Sequence, residues 1–259
     1  MVELKGDERI DYLLADRKRQ IIQSPTVFAF SVDAVLLADF TYLPIKRGRV
    51  LDLCTGNGVI PLFISKRSQA KMTGVEIQER LYDMAIRNVQ LNQLEEQINL
   101  IHGDLKDVTK QFNQSFDVVT CNPPYFKTKT PEKRNQNEHL TIARHEVYCD
   151  LNDVLKACSR SVKSGGKVSI VHRPNRLSEM IVIAQQYRLE VKRLKFVYPK
   201  RNKEANIVLV ELAKDGQPDL KVEPPLYIHE ENGDYTKEMT KILYGEEGSS
   251  AHGPNSKKL

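Results

Sequence analysis

Short apolar runs alternate along this chain with stretches whose apolar residues recur every three or four positions. Arg49–Cys54, Met72–Glu76, Ile98–Asp104 and Phe116–Cys121 are continuous enough to read as buried parallel strands. Between them, Val59–Lys66 and Gln78–Leu91 carry a helical period, clearest at Leu81, Met84, Ala85 and Val89. Upstream, Val32, Val35, Leu36 and Phe40 predict a helix that Ser31 can cap, with Asp33 in its first turn, where the helix dipole favours an acid. Ile21–Gln23 suits a short strand. Downstream, Asp150 caps a helix running to about Val162, Ser164-Gly165-Gly166 makes a turn, and Lys167–His172 is a fifth strand. A helix over Pro174–Gln186 follows. The last two strands, Leu189–Val197 and Asn206–Ala213, are joined only by the basic loop Tyr198–Lys203, so they pair antiparallel. The pattern predicts an α/β fold: a seven-stranded, mostly parallel sheet with one antiparallel strand and helices on both faces.

Polar residues at the strand ends carry the candidate chemistry. Ligands of open parallel sheets bind outside the carboxyl ends of the strands. Four successive strands end in Asp52, Glu76, Asp104 and Asn122. Asp52 and Cys54 lead into Thr55-Gly56-Asn57-Gly58, an Asp-x-x-x-Gly-x-Gly loop lacking the third glycine of the dinucleotide fingerprint. A carboxylate there suits a ligand bearing a cation better than a pyrophosphate. Glu76, about twenty residues past the loop, is placed to accept ribose hydroxyls. Asn122-Pro123-Pro124-Tyr125 must leave the sheet, because two prolines cannot continue a ladder. It offers an amide oxygen, a carbonyl held by proline and a flat ring, which suit a planar base carrying an amino group. The same residues also suit an ordinary strand-ending turn.

Composition narrows the setting. The chain has 259 residues, 40% hydrophobic and 28% charged, in the soluble globular range. Its net charge of +5 permits a nucleic-acid partner without requiring one. The cysteines Cys54, Cys121, Cys149 and Cys158 form no Cys-x-x-Cys pair and no zinc-ligand spacing, so free thiols in a reducing compartment and no metal are expected. No signal peptide and no membrane-spanning run is read, and a cytoplasmic monomer is expected. Residues 126–149 form a long basic connection with Lys127, Lys133, Arg134 and Arg144, a candidate for phosphate contacts or a solvated loop. Arg17–Arg19 reads as a solvated face, and His145 as structural or solvent-facing. Residues 1–45 read as an N-terminal extension with its helix, 46–215 as the α/β domain, and 216–259 as a C-terminal extension, disordered from about Gly248.

Together these stretches resemble the class I S-adenosylmethionine-dependent methyltransferases that carry an Asn-Pro-Pro-Tyr motif and methylate amino groups. Leu51–Pro61 is similar to their first motif, and Phe28–Phe40 to the motif that covers the methionine end of the cofactor. The span from about Ile21 to Ala213 resembles bacterial transfer-RNA adenine-N6 methyltransferases, which act beside the anticodon of a valine tRNA. The resemblance implies a Rossmann-like methyltransferase fold, S-adenosyl-L-methionine as cofactor and tRNA as partner. It implies that Asp52, Cys54, Gly56 and Gly58 shape the methionine pocket, with Ser31 and Asp33 closing it. Glu76 would take the ribose hydroxyls and Asp104 the adenine amine. Asn122 and the Pro123 carbonyl would accept from the target amine, while Tyr125 and Phe126 stack on the base and Lys127 and Arg144 assist in binding. Cys54 and Asn57 stand where the family often has Gly and Ser, and both are small enough to keep the loop.

Rival readings share the motif. Methyltransferases acting on the glutamine amide of release factors usually carry a sizeable helical N-terminal domain, whereas about 45 residues precede the first glycine-loop strand here. DNA adenine enzymes and guanine-amine enzymes of ribosomal RNA are further alternatives. A non-catalytic RNA-binding protein on the same scaffold predicts a broken cofactor site, yet Asp52, Glu76, Asp104 and Asn122 are all present.

Overall fold

The computed structural model describes residues 2–13, 19–27, 31–43, 47–125 and 149–245. Strand side chains point alternately to the two faces of a sheet, and the buried residues divide accordingly. Val50, Val171 and Leu209 enter one apolar cluster, while their neighbours Leu51, Ile170 and Val210 enter another. The strands are β1 (Arg9–Tyr12), β2 (Gln20–Gln23), β3 (Arg49–Leu53), β4 (Lys71–Glu76), β5 (Ile98–His102), β6 (Phe116–Cys121), β7 (Val162–His172), β8 (Leu189–Tyr198), β9 (Ile207–Lys214), β10 (Lys221–Val222) and β11 (Leu226–Tyr227). Among the described residues the α-helices are α1 (Val32–Phe40), α2 (Val59–Ile64), α3 (Glu79–Leu91), α4 (Leu105–Val108), α5 (Leu151–Ser161), α6 (Leu177–Gln186) and α7 (Lys237–Tyr244). Residues of α1, α2 and α7 pack into the first cluster, and those of α5 and α6 into the second. Helices therefore cover both faces.

The main sheet runs β10-β8-β9-β7-β6-β3-β4-β5, with β11 also on β8. Every pairing is parallel except those of β9, which opposes both β7 and β8. The expected single antiparallel strand is thus β9. The strand count needs correcting: the sheet has nine strands rather than seven. The additional two, β10 and β11, are two residues each, too short for an alternating pattern to register. A second correction concerns Ser164-Gly165-Gly166. These residues lie within β7 rather than in a turn before it. The register steps from Phe116↔Val162 to Val118↔Lys167, so the extra residues form an irregularity in a continuing strand. A Cβ on Gly166 would meet the Asp117 carbonyl at 2.9 Å, so a glycine is needed where the two strands crowd.

The polar N-terminal segment also has structure that its composition hides. β1 and β2 form a separate antiparallel pair, with Arg9 opposite Gln23. Ile22 packs with Leu81 and Met84 of α3, and polar bonds fix the attachment. The Asn88 oxygen accepts the Ile22 N–H at 2.6 Å, and its amide donates to the Asn57 carbonyl at 2.9 Å. Asn57 in turn donates to the Ile22 carbonyl at 3.1 Å. Asn88 is wholly buried on α3, so this knot joins the hairpin, the helix and the glycine loop. The nearly buried Arg87 adds an ion pair to Glu8 at 2.6 Å.

Replacing Asn88 with Ala leaves the Ile22 N–H and the Asn57 carbonyl without partners in a site closed to water. The expected loss is about 2–3 kcal/mol of folding stability, read by urea or thermal unfolding.

Candidate active site

The glycine loop starts where β3 stops hydrogen-bonding to its neighbours. Cys54 takes a left-handed conformation (φ +57°), and the Thr55 N–H bonds to the Val75 carbonyl of β4 at 3.0 Å. Gly58 then caps α2 at φ +85°, a conformation that strains any residue with a Cβ. Cys54, Thr55, Gly56 and Asn57 line a cleft at the carboxyl edge of the sheet. Its walls also include Ser31, Glu76, Asp104, Asn122 and Pro124.

Glu76 closes β4 and braces the loop. One carboxylate oxygen accepts the Gly56 N–H at 2.8 Å, and the other accepts the Gln78 N–H at 2.9 Å. Burial raises its pKa, and backbone donors from Gln78, Gly56 and Ile77 oppose that rise. Asp104 also faces the cleft, but it does not end a strand. β5 stops at His102, and Asp104 is the N-cap of α4, accepting the Lys106 N–H at 2.9 Å. A cap two residues beyond the strand reads as a strand end when only the apolar run is followed.

Asp52 sits inside β3, opposite Thr120 of β6. Its two oxygens accept the Thr120 hydroxyl at 2.7 Å and the Thr55 hydroxyl at 2.6 Å. Asp52 is absent from the cleft wall, as are Gly58, Pro123, Tyr125 and Asp33. It shapes the loop from behind, through Thr55, which does line the cleft. Burial pushes its carboxyl up to about 7, against the two threonine hydroxyls and with help from nearby Glu76.

The remaining predicted residues gather around Tyr125. Asn122 follows the last residue of β6, and its carboxamide oxygen accepts the Tyr125 hydroxyl at 2.6 Å. Burial raises the pKa of the Asp33 carboxyl in the first turn of α1, and nearby Tyr125 and Arg173 oppose that rise. The Tyr125 ring packs on His172 with centroids 5.2 Å apart, and the Arg173 guanidinium lies 5.1 Å from the ring centre. Ser31 holds the N-cap position of α1, but its side chain makes no capping bond. Its buried hydroxyl has no protein partner, and Ser31 lines the cleft. Phe126, Lys127 and Arg144, with the other basic residues of that connection, lie outside the described residues.

Some contributors carried no sequence signal. Ile77, Gln78, Leu105 and Cys149 line the cleft as flanks of strand ends and helix starts. Cys54 and Cys149 pack against the apolar cluster that holds Cys121. The sequence separates Cys54 widely from Cys121, and the β3–β6 register, which sets Leu53 opposite Cys121, brings them to one edge of the sheet. His172 closes β7, the strand beside β6, and that position was the available clue.

Asp52 gives a titration test. Its folded pKa of about 7 lies above the ordinary 3.8. The folded state therefore holds this proton more tightly than the unfolded chain, and the contribution is lost as pH rises from about 4 to about 7. The stability of wild type relative to Asp52→Asn should fall across that window, by on the order of 4 kcal/mol, and stay level above it. Urea unfolding of both proteins at stepped pH checks this.

Comparison with known proteins places this geometry. Over 219 residues the chain is 29% identical to a protein of Shewanella sp. named tRNA1(Val) (adenine(37)-N6)-methyltransferase, covering 82% of this chain and 89% of that one. A Porphyromonas gingivalis protein of the same name is 29% identical over 201 residues, covering 74% and 76%. Among solved structures, a predicted O-methyltransferase from Agrobacterium tumefaciens superposes with a TM-score of 0.66 at 22% identity, covering 87% of this chain and all of that one. That likeness is one of fold. The profile of the methyltransferase small domain matches residues 18–190, a span that takes in the glycine loop, Glu76, Asp104 and Asn122, and the chain belongs to that methyltransferase family.

Proposed function

We propose that this enzyme transfers a methyl group from S-adenosyl-L-methionine to the exocyclic N6 amine of an adenine in tRNA, beside the anticodon of a valine tRNA. The observation that carries the reading is the placement of Asn122. Its carboxamide stands at the carboxyl edge of the sheet, in the wall of the cleft that Glu76 and the glycine loop build. The names of the relatives favour the tRNA adenine.

The residues fit such a cofactor. Ser31 offers a buried, unpartnered hydroxyl, Glu76 and Asp104 offer carboxylates, and Gly56 brings backbone within reach of a ligand. When bound, S-adenosylmethionine supplies a methyl group already activated by a sulfonium. The protein's task is then mainly to orient the acceptor. An adenine amine delocalises its lone pair into the ring and is a poor nucleophile. Acceptors at the Asn122 oxygen and the Pro123 carbonyl draw on its hydrogens and favour a pyramidal nitrogen with a directed lone pair. Tyr125 supplies a ring face for the displaced base, and stacking of about 1–3 kcal/mol offsets the cost of unstacking it from RNA.

Labelled S-adenosylmethionine offered with unmodified tRNA should give N6-methyladenosine on nucleoside analysis. Asn122→Ala should lower transfer at least about a hundredfold while cofactor affinity stays within about twofold. Label entering release factor or ribosomal RNA but not tRNA would overturn the substrate assignment.

A further inference from the structure

His172 ends β7, two residues beyond the Ile170 that pairs with Cys121, so it stands beside the turn that carries Asn122 and Tyr125. It is only 1% exposed. Its Nδ1 accepts the Arg173 backbone N–H at 2.8 Å. A neutral imidazole has one donor nitrogen and one acceptor nitrogen, so this bond leaves the proton on Nε2. Burial, followed by the charge of Arg176, holds the His172 pKa down at about 4, so the ring is neutral at pH 7. Nε2 itself is buried and has no hydrogen-bond partner. A buried donor without an acceptor is costly, and folded proteins keep few of them.

Tyr125 shows what fits against that donor. Its hydroxyl donates to the Asn122 oxygen at 2.6 Å, while its ring packs on His172. A flat ring thus already lies on His172 with its one donor on Asn122, which is the bond a target amine would make. An incoming base competes with Tyr125 for that oxygen. A base that wins it takes the place the Tyr125 ring holds in the unliganded protein, and the displaced ring is then available to stack on the base. Adenine carries an acceptor ring nitrogen on each side of its amine, N1 and N7. At the corresponding major-groove edge guanine shows two acceptors, O6 and N7. An acceptor at Asn122 beside a donor at His172 matches the adenine edge and sets guanine O6 against the Asn122 oxygen.

We propose, resting on the adenine-methylation reading, that His172 reads the target base: its Nε2–H donates to a ring nitrogen beside the amine while Asn122 accepts from the amine. Asn122 alone would hold the base at one point and leave it free to turn in its plane. A second bond from His172 fixes that turn and so aims the amine. The Arg173 backbone N–H keeps the proton on the nitrogen that needs it, as an outer partner does for a metal-bound histidine.

The test offers valine tRNA carrying adenine, 1-deazaadenine or 7-deazaadenine at the target position to wild type, His172→Phe and His172→Gln. One of the two analogues should lower wild-type kcat/KM by about ten- to hundredfold. His172→Phe should lose about as much on adenine, with S-adenosylmethionine affinity within about twofold, and should lose no more than about threefold further on that analogue. His172→Gln restores an N–H at similar reach and should recover most of the rate on adenine. Losses that simply multiply in His172→Phe would make the residue structural and overturn the proposal. Wild type taking both analogues as well as adenine would overturn it without any variant. A second readout needs no substrate. In ligand-free protein carrying 15N-labelled histidine, the His172 ring, assigned by its loss in His172→Phe, should show a protonated Nε2 and a bare Nδ1 at pH 7. The opposite tautomer or an imidazolium would overturn the role whatever the enzyme methylates. A wild type that methylates no tRNA adenine would overturn the substrate assignment and this role together, whereas the other adverse results strike His172 alone.

Discussion

The loop after β3 keeps its shape because buried polar side chains hold it from several sides. Glu76 grips the Gly56 N–H from the neighbouring strand, Asp52 grips the Thr55 hydroxyl from behind, and Asn88 grips the Asn57 carbonyl from α3. Each is nearly or wholly buried, where an unmatched polar group is costly. The loop therefore has little freedom to relax. The cleft wall it forms, the start of α2 and the seat of the β1–β2 pair all depend on those bonds.

Two carboxylates near one loop also create an electrostatic constraint. Asp52 and Glu76 are both raised by burial, and Glu76 adds to the rise of Asp52. The protein meets the charge of Glu76 with backbone N–H groups. It gives Asp52 only hydroxyl donors, which help an ion less. The two acids thus have different work. Glu76 faces the cleft, while Asp52 links β3, β6 and the glycine loop.

The surroundings of Tyr125 follow another logic. There Asn122 and Tyr125 leave β6, Asp33 arrives from α1, and His172 and Arg173 arrive from the end of β7. Three segments distant in the chain meet because the sheet order sets β6 beside β7 and α1 packs over that part of the sheet. Ring packing, a nearby cation and hydrogen bonds restrict Tyr125 to one pose.

Much of this was legible in the chain itself. Apolar runs locate β3, β4, β6 and β9, because burial on both faces leaves little polar period to blur them. The prolines after Asn122 mark where the chain must leave the sheet, since proline cannot join a ladder. Gly56 and Gly58 mark a loop that needs left-handed backbone. Other features depend on tertiary contact. β1, β10 and β11 are short and polar or proline-flanked, so only their partners make them strands. The spacing that suggested Asp52 at a ligand says nothing of Thr120, which lies opposite only by the register of β3 on β6. The packing of Tyr125 on His172 has no local signature, because contact between distant segments depends on where the sheet brings them. The chain alone determined which groups gather at the carboxyl edge. The fold decided which touch one another and which face the cleft, because pairing register and packing, rather than spacing along the chain, set those distances.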